Sequence, residues 1–144
     1  MPFARLANGH TALAERGAAY RFIDTPPTIS DQRASVLDLA DLVLIPVRPS
    51  PADLWAVSQT VALAKEAEKP FLFVITQAKA NATITAQTIA ALSQHGRVAP
   101  SFIADRVPYA VAMTADAPEL SPNGPAALEL TALWKDVKSC FMKI

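Results

Sequence analysis

Three short stretches of this chain carry residues able to hold a ligand just where an apolar run ends: Asp24-Thr25-Pro26-Pro27, Pro46-Val47-Arg48-Pro49 and Thr76-Gln77. In parallel α/β folds ligands bind beyond the carboxyl ends of the strands, so these stretches are expected to share one rim. A carboxylate placed straight after an apolar strand, as at Asp24, suits a magnesium ion held through a water of its shell. The same residues also read as an Asx turn leaving a strand, which Asp before a Pro-rich stretch commonly forms.

The elements that would position these residues follow from periodicity. Tyr20-Arg21-Phe22-Ile23, Leu42-Val43-Leu44-Ile45 and Phe71-Leu72-Phe73-Val74-Ile75 are short, aliphatic or aromatic, and mostly apolar on both faces, as buried parallel strands are. Prolines bound them, because proline fixes φ and removes a donor. Helical spacing occupies the intervals: Ser30 to Ala40 with Ile29, Val36, Leu37 and Leu39 on one side, and Ala82 to His95 with Ile84, Ile89 and Leu92 inside and Gly96 as C-cap. Ser50-Pro51-Ala52-Asp53 is a helix start, with Ser at N-cap, Pro at the first position and an acid at N3. Leu54, Val57, Val61 and Ala64 continue it, and Asn123-Gly124-Pro125 opens a last helix through Leu128, Leu130, Leu133, Trp134 and Val137. Alternating strands and helices predict an α/β fold with a mainly parallel sheet flanked by helices in three layers.

Composition narrows the function classes. At 144 residues, 51% hydrophobic and 18% charged, the chain has ample apolar material for one domain and is not of a disordered class. Thirteen basic and thirteen acidic residues are mixed along it, so bulk charge makes no case for nucleic-acid binding. One cysteine excludes an internal disulfide framework. No signal-like apolar run occupies Met1 to Arg21, which leads to an expectation of a cytoplasmic protein. His10 and His95 lack ligand spacing and read as surface or cap residues. Trp55 and Trp134 read as core or interface anchors, and Cys140 as a small buried hydrophobe. Ser30, Ser35 and Ser58 lack the Gly-x-Ser-x-Gly turn of a nucleophile. Lys135, Lys138 and Lys143 make the C-terminal stretch slightly basic, the solvated face of a helix or a DNA contact.

The longer string is more specific. Phe22-Ile23-Asp24-Thr25-Pro26-Pro27, followed by Ala40-Asp41-Leu42-Val43-Leu44-Ile45-Pro46-Val47-Arg48-Pro49-Ser50-Pro51-Ala52-Asp53-Leu54-Trp55, resembles the ParA family of partitioning ATPases, the deviant-Walker P-loop proteins that include MinD. The resemblance runs on through Phe73-Val74-Ile75-Thr76-Gln77 and Ile103-Ala104-Asp105-Arg106-Val107 to the helix at Gly124-Pro125-Ala126-Ala127-Leu128. It implies a Walker B role for Asp24 and a γ-phosphate-sensing loop at Thr25, Pro26 and Pro27. It also implies a segment near nucleotide and dimer face at Pro46 to Pro51, and polar residues beside the base at Thr76 and Gln77. Arg106, Lys135 and Lys138 become candidates for nonspecific DNA contact. ATP and magnesium would be the family's ligands, and a ParB-like centromere-binding protein its partner.

One departure outweighs these matches. The family's phosphate loop, of the type Lys-Gly-Gly-Val-Gly-Lys-Thr, precedes the Asp-Thr-Pro-Pro block, yet here that block already begins at Phe22. The four glycines, Gly9, Gly17, Gly96 and Gly124, cannot form it. Phosphoryl transfer relies on such positioning, so the expectation is a P-loop-like fold missing its P-loop strand and helix, without independent ATPase activity or a cofactor of its own. Residues 1–19 form a lead-in and residues 20–144 the α/β domain. The missing strand would leave an apolar sheet edge. That edge is expected to close by direct pairing of the Phe22 and Val43 strands, by insertion of Met1 to Leu6, or by dimerisation. The alternatives to a truncated partition protein are a non-enzymatic module binding a full-length ParA-like partner, and a small α/β domain binding another ligand.

Overall fold

The computed structural model describes residues 3–25, 31–79, 82–109 and 123–142. In chain order the elements are α1 (Phe3–Glu15), α2 (Asp31–Asp38), β1 (Val43–Val47), α3 (Pro51–Glu66), β2 (Phe71–Ile75), α4 (Ala82–Ser93) and α5 (Pro125–Phe141). β1 and β2 pair in parallel with Val43 opposite Phe71 and Val47 opposite Ile75.

Strand alternation sends the two sets of side chains to opposite faces. Ile45, Val47, Phe73 and Ile75 pack with Val57 and Val61 of α3 and Leu92 of α4. Leu72 and Val74, with Leu44 beside them, pack against Val137 and Cys140 of α5. Helices therefore cover both faces of a two-stranded parallel sheet. This mixed α/β arrangement agrees with the sequence at the coarse level, without establishing a three-layer P-loop-like fold.

The two edges of the sheet are treated differently. Beyond β2, the chain from Arg97 to Asp105 completes the ladder: Phe73 N–H donates to Arg97 O, Ala99 N–H to Phe73 O and Ile103 N–H to Ile75 O, at 2.8–3.0 Å. Beyond β1 no strand lies among the described residues. Val43 N–H donates to Pro70 O and Thr76 N–H to Val47 O. Residues 43, 45 and 47 thus face β2, and the polar groups of Leu44 and Pro46 face outward. This explains why β1 runs through Pro46 instead of stopping there: the missing proline donor falls on the open edge, where no ladder bond is lost.

Two expectations for that edge are corrected. Tyr20 to Ile23 has no strand structure, so it does not pair with Val43. Phe22 is 74% exposed; Tyr20 instead packs edge-on against Trp134, ring centroids 4.8 Å apart. Of Met1 to Leu6, Met1 and Pro2 lie outside the described residues, and Phe3 to Leu6 belongs to α1 and fills no strand position. The physical reason is partnership: an apolar run becomes a strand only where a neighbouring edge takes its backbone bonds.

The helices follow their local signals more closely. Ser50 adopts extended φ and ψ and its Oγ accepts from Asp53 N–H at 3.2 Å, as the sequence predicts. The far end of α3 closes with Glu68 at φ 55°, Glu68 N–H donating to Lys65 O and Lys69 N–H to Ala64 O, a Schellman motif in which Glu holds the position glycine favours. In α4 Leu92 is buried and Ile89 packs against the same core as expected, Thr85 and Thr88 are buried beside them, and of the expected inside set Ile84 alone is exposed. Thr88 tolerates burial because its hydroxyl donates to Ile84 O at 2.8 Å. Gly96 follows α4 without a left-handed φ. A Cβ there would come within 2.5 Å of the Phe71 ring, so close approach is what the site requires.

Candidate functional site

A cavity of about 960 Å³ lies along the open edge of β1. Its floor is Leu42 to Pro46. Ala56, Val57, Thr60 and Leu63 of α3 wall one side, Trp134, Val137 and Phe141 of α5 another, and residues 19–25 with α2 complete it. The lining is mainly apolar because the cavity is a continuation of the sheet's two cores into a space where the sheet itself stops.

Of the residues singled out by sequence, Asp24, Thr25 and Pro46 line this cavity together. Asp24 and Thr25 are exposed and sit on an irregular segment, not at a strand end. Pro26 and Pro27 lie outside the described residues. Thr76 and Gln77 are not in the cavity wall. They turn the chain out of β2, Gln77 at φ 51°, and Ala78 N–H donates to Ile103 O. The β1 and β2 ends do meet at one end of the parallel pair, Thr76 N–H donating to Val47 O, while Asp24 and Thr25 join Pro46 only along the cavity at the open edge.

Two of the three basic candidates, Arg106 and Lys138, have partners. Arg106 donates from Nε to Glu129 Oε1 at 2.8 Å and from Nη2 at 2.7 Å. Tyr109 Oη donates to Glu129 Oε2 at 2.8 Å, and Ala104 N–H approaches the same oxygen at 3.4 Å. Burial pushes the Glu129 carboxyl up, but the bonds from Arg106, Tyr109 and Ala104 outweigh it and leave the pKa below its ordinary value. Burial, with the Glu129 bond, pushes the Tyr109 phenol up to about 12. This cluster ties the 104–109 segment to α5. Lys138 holds its ammonium 5.6 Å from the Trp134 ring centroid, a cation–π contact, and Lys135 is exposed. The other lone residues divide: Cys140 is buried, as its setting among apolar residues suggests, whereas Trp55 is 87% exposed and belongs to no core.

A cluster that sequence reading missed stands at the end of β1. Asp53 accepts from Arg48 N–H at 2.9 Å, Arg48 Nε at 3.1 Å and Arg48 Nη2 at 2.9 Å. The Arg48 guanidinium bond holds the Asp53 carboxyl below its ordinary pKa, the Arg48 amide adding to it. The available signal was an Arg five residues ahead of the N3 acid, close enough for the carboxylate to reach back past its own N-cap.

The described lining fits a nucleoside triphosphate poorly. Gly9 lies within α1, Gly17 follows it, Gly96 packs on Phe71 and Gly124 caps α5, so none lends a backbone cradle to the cavity. Arg21 donates to His10 O at 2.6 Å. Among the described residues no group of three or more His, Cys, Asp or Glu converges on one point.

No protein-family model matches the chain. Over 58 residues, 40% of this chain, it is 38% identical to a protein of Halothiobacillus neapolitanus described as maintenance of carboxysome distribution protein A. The matched stretch spans 27% of that protein's length.

Proposed function

We propose that this chain is a ParA-like partition or distribution protein that lacks ATPase activity of its own and works as an interaction module. The observation that carries the reading is the run from Phe22 through Asp24-Thr25-Pro26-Pro27 to Pro46-Val47-Arg48-Pro49-Ser50-Pro51, together with the partial identity to a protein of carboxysome distribution. In such a role the cargo is a DNA molecule or a large cellular body, and positioning is done with a nucleotide-hydrolysing partner. Within these 144 residues no glycine-and-lysine loop is present to orient phosphates, and phosphoryl transfer rests on that positioning, so this stretch is read as an interaction module. Asp24, placed on an exposed irregular segment, then serves as a surface carboxylate and not as an ion-organising group.

Isothermal titration with ATP and magnesium tests this directly. The expected result is no heat of binding at micromolar ligand. Micromolar binding that Asp24→Ala abolishes would overturn the reading. A purified full-length ParA-type ATPase supplies the second arm: a change in its ATP turnover on adding this chain is expected, and no change at saturating chain argues against the interaction role.

A further inference from the structure

Two Asn-Gly pairs stand in this chain, Asn8-Gly9 and Asn123-Gly124, and the fold treats them oppositely. In such a pair the side-chain amide is open to attack by the following backbone nitrogen, because glycine has no Cβ to shield that nitrogen. The attack closes a small imide ring, and a helical backbone resists it by holding the peptide group in its ladder. Asn8 and Gly9 lie inside α1. Asn123 and Gly124 instead precede the first turn of α5. Pro125 disfavours the helical region for the residue ahead of it, and Gly124 is extended at φ −73° and ψ 161°. Both asparagines are exposed, so solvent access does not separate them. The backbone does: neither the Asn123 side chain nor Gly124 N–H has a hydrogen-bond partner among the described residues.

We propose that Asn123 is a site of spontaneous deamidation, selected over Asn8 by the backbone around it, which places a new negative charge directly ahead of α5. The Gly124 nitrogen, giving up its proton to solvent base, bonds to Asn123 Cγ; the Cγ–Nδ2 bond breaks and ammonia leaves. Water then opens the imide at one carbonyl or the other, giving aspartate or isoaspartate. The net change is one water gained and one ammonia lost, and the formal charge moves from zero to one negative charge. As aspartate, the new carboxylate stands at the positive end of α5, whose first turn holds no acid and whose N-cap makes no side-chain bond. As isoaspartate, the extra main-chain carbon falls next to Gly124, whose carbonyl accepts from Leu128 N–H at 3.1 Å. The inference holds whether or not the chain acts in partition.

The full chain, incubated in mildly alkaline buffer made with heavy-oxygen water and then digested with trypsin in ordinary water, tests this by peptide mass spectrometry. Asn8 reports from the peptide of residues 6–16 and Asn123 from that of residues 107–135, each holding one asparagine. In the folded chain the second peptide should gain label at least about tenfold faster, a barrier difference of about 1.4 kcal/mol. In guanidinium chloride the two rates should converge, since both pairs are then free of the fold. Gly124→Ala should slow labelling at Asn123 several-fold and leave Asn8 unchanged. Equal rates at the two sites in the folded chain would overturn the proposal. So would an Asn123 that gains label only in guanidinium chloride, or none at all.

Discussion

β1 and β2 are of equal length and similar composition, Val-Leu-Ile-Pro-Val against Phe-Leu-Phe-Val-Ile, yet their surroundings are opposite. In β2 every residue after Phe71 is buried, whereas in β1 only Ile45 and Val47 are. Both strands have helices over their faces, so the difference lies at the edges. The 97–105 segment closes the outer side of β2, while the outer side of β1 gives onto the cavity. Face coverage alone does not seal a strand. An edge neighbour is needed as well, because it brings both backbone partners and the side chains that shield the next layer.

Deleting a large side chain on each side should expose this contrast most strongly. Phe73 is fully buried and Phe22 is 74% exposed. Phe73→Ala should lower unfolding free energy by about 3–5 kcal/mol in urea titrations followed by circular dichroism. Phe22→Ala should cost less than about 0.5 kcal/mol; comparable losses would erase the distinction between closed and open sides.

Next in size is Gly96→Ala on the closed side, where the new methyl would press on Phe71. A loss of roughly 1–3 kcal/mol is expected, and an unchanged urea midpoint would mean that the β2 flank is looser than its contacts indicate. On the open side, Ser50→Ala removes the acceptor for Asp53 N–H and should cost about 1 kcal/mol. Ser50→Gly should cost only a few tenths by the same measurement. If both are silent, the α3 start is held by Arg48 and Asp53 without its cap.

The smallest effect is on acid stability. Asp53 on the open side and Glu129 on the closed side both have folded pKa values held below their unfolded ones. Their contribution is complete above the ordinary carboxylate range, about pH 4, and disappears as pH falls through the lowered folded values. Urea midpoints should therefore drop below about pH 4, and Glu129→Gln should shallow that slope. Tyr109 gives the mirror case: its pKa is raised to about 12, so its contribution is complete below about pH 10 and fades as pH rises above that.

Much of this arrangement was legible in the residues themselves. Ser50-Pro51-Ala52-Asp53 specifies a helix start through bonds that reach only three residues, so the sequence alone locates it. Phe71 to Ile75 is apolar at every position, which fits a strand buried on both faces. The tail helix shows itself by the spacing of Leu128, Leu130, Leu133, Trp134 and Val137, of which Val137 is buried and Leu128 and Leu130 are exposed. Of the candidate site residues, Asp24, Thr25 and Pro46 line one cavity, while Thr76 and Gln77 leave β2 beside the end of β1 without entering the cavity wall.

What local signals could not decide was partnership. Tyr20 to Ile23 has the composition of a strand, but composition supplies no neighbour. Tyr20 meets Trp134, a residue more than a hundred positions away, while Asp24 is left on an irregular segment. Likewise Pro46 looked like the end of a strand, because the direction of its absent donor depends on which side β2 pairs. The sequence by itself determined helix starts and apolar runs, all set within a few residues. Only the tertiary structure decided which edge closes and which stays open, because hydrogen bonding between strands joins segments whose proximity no local pattern encodes.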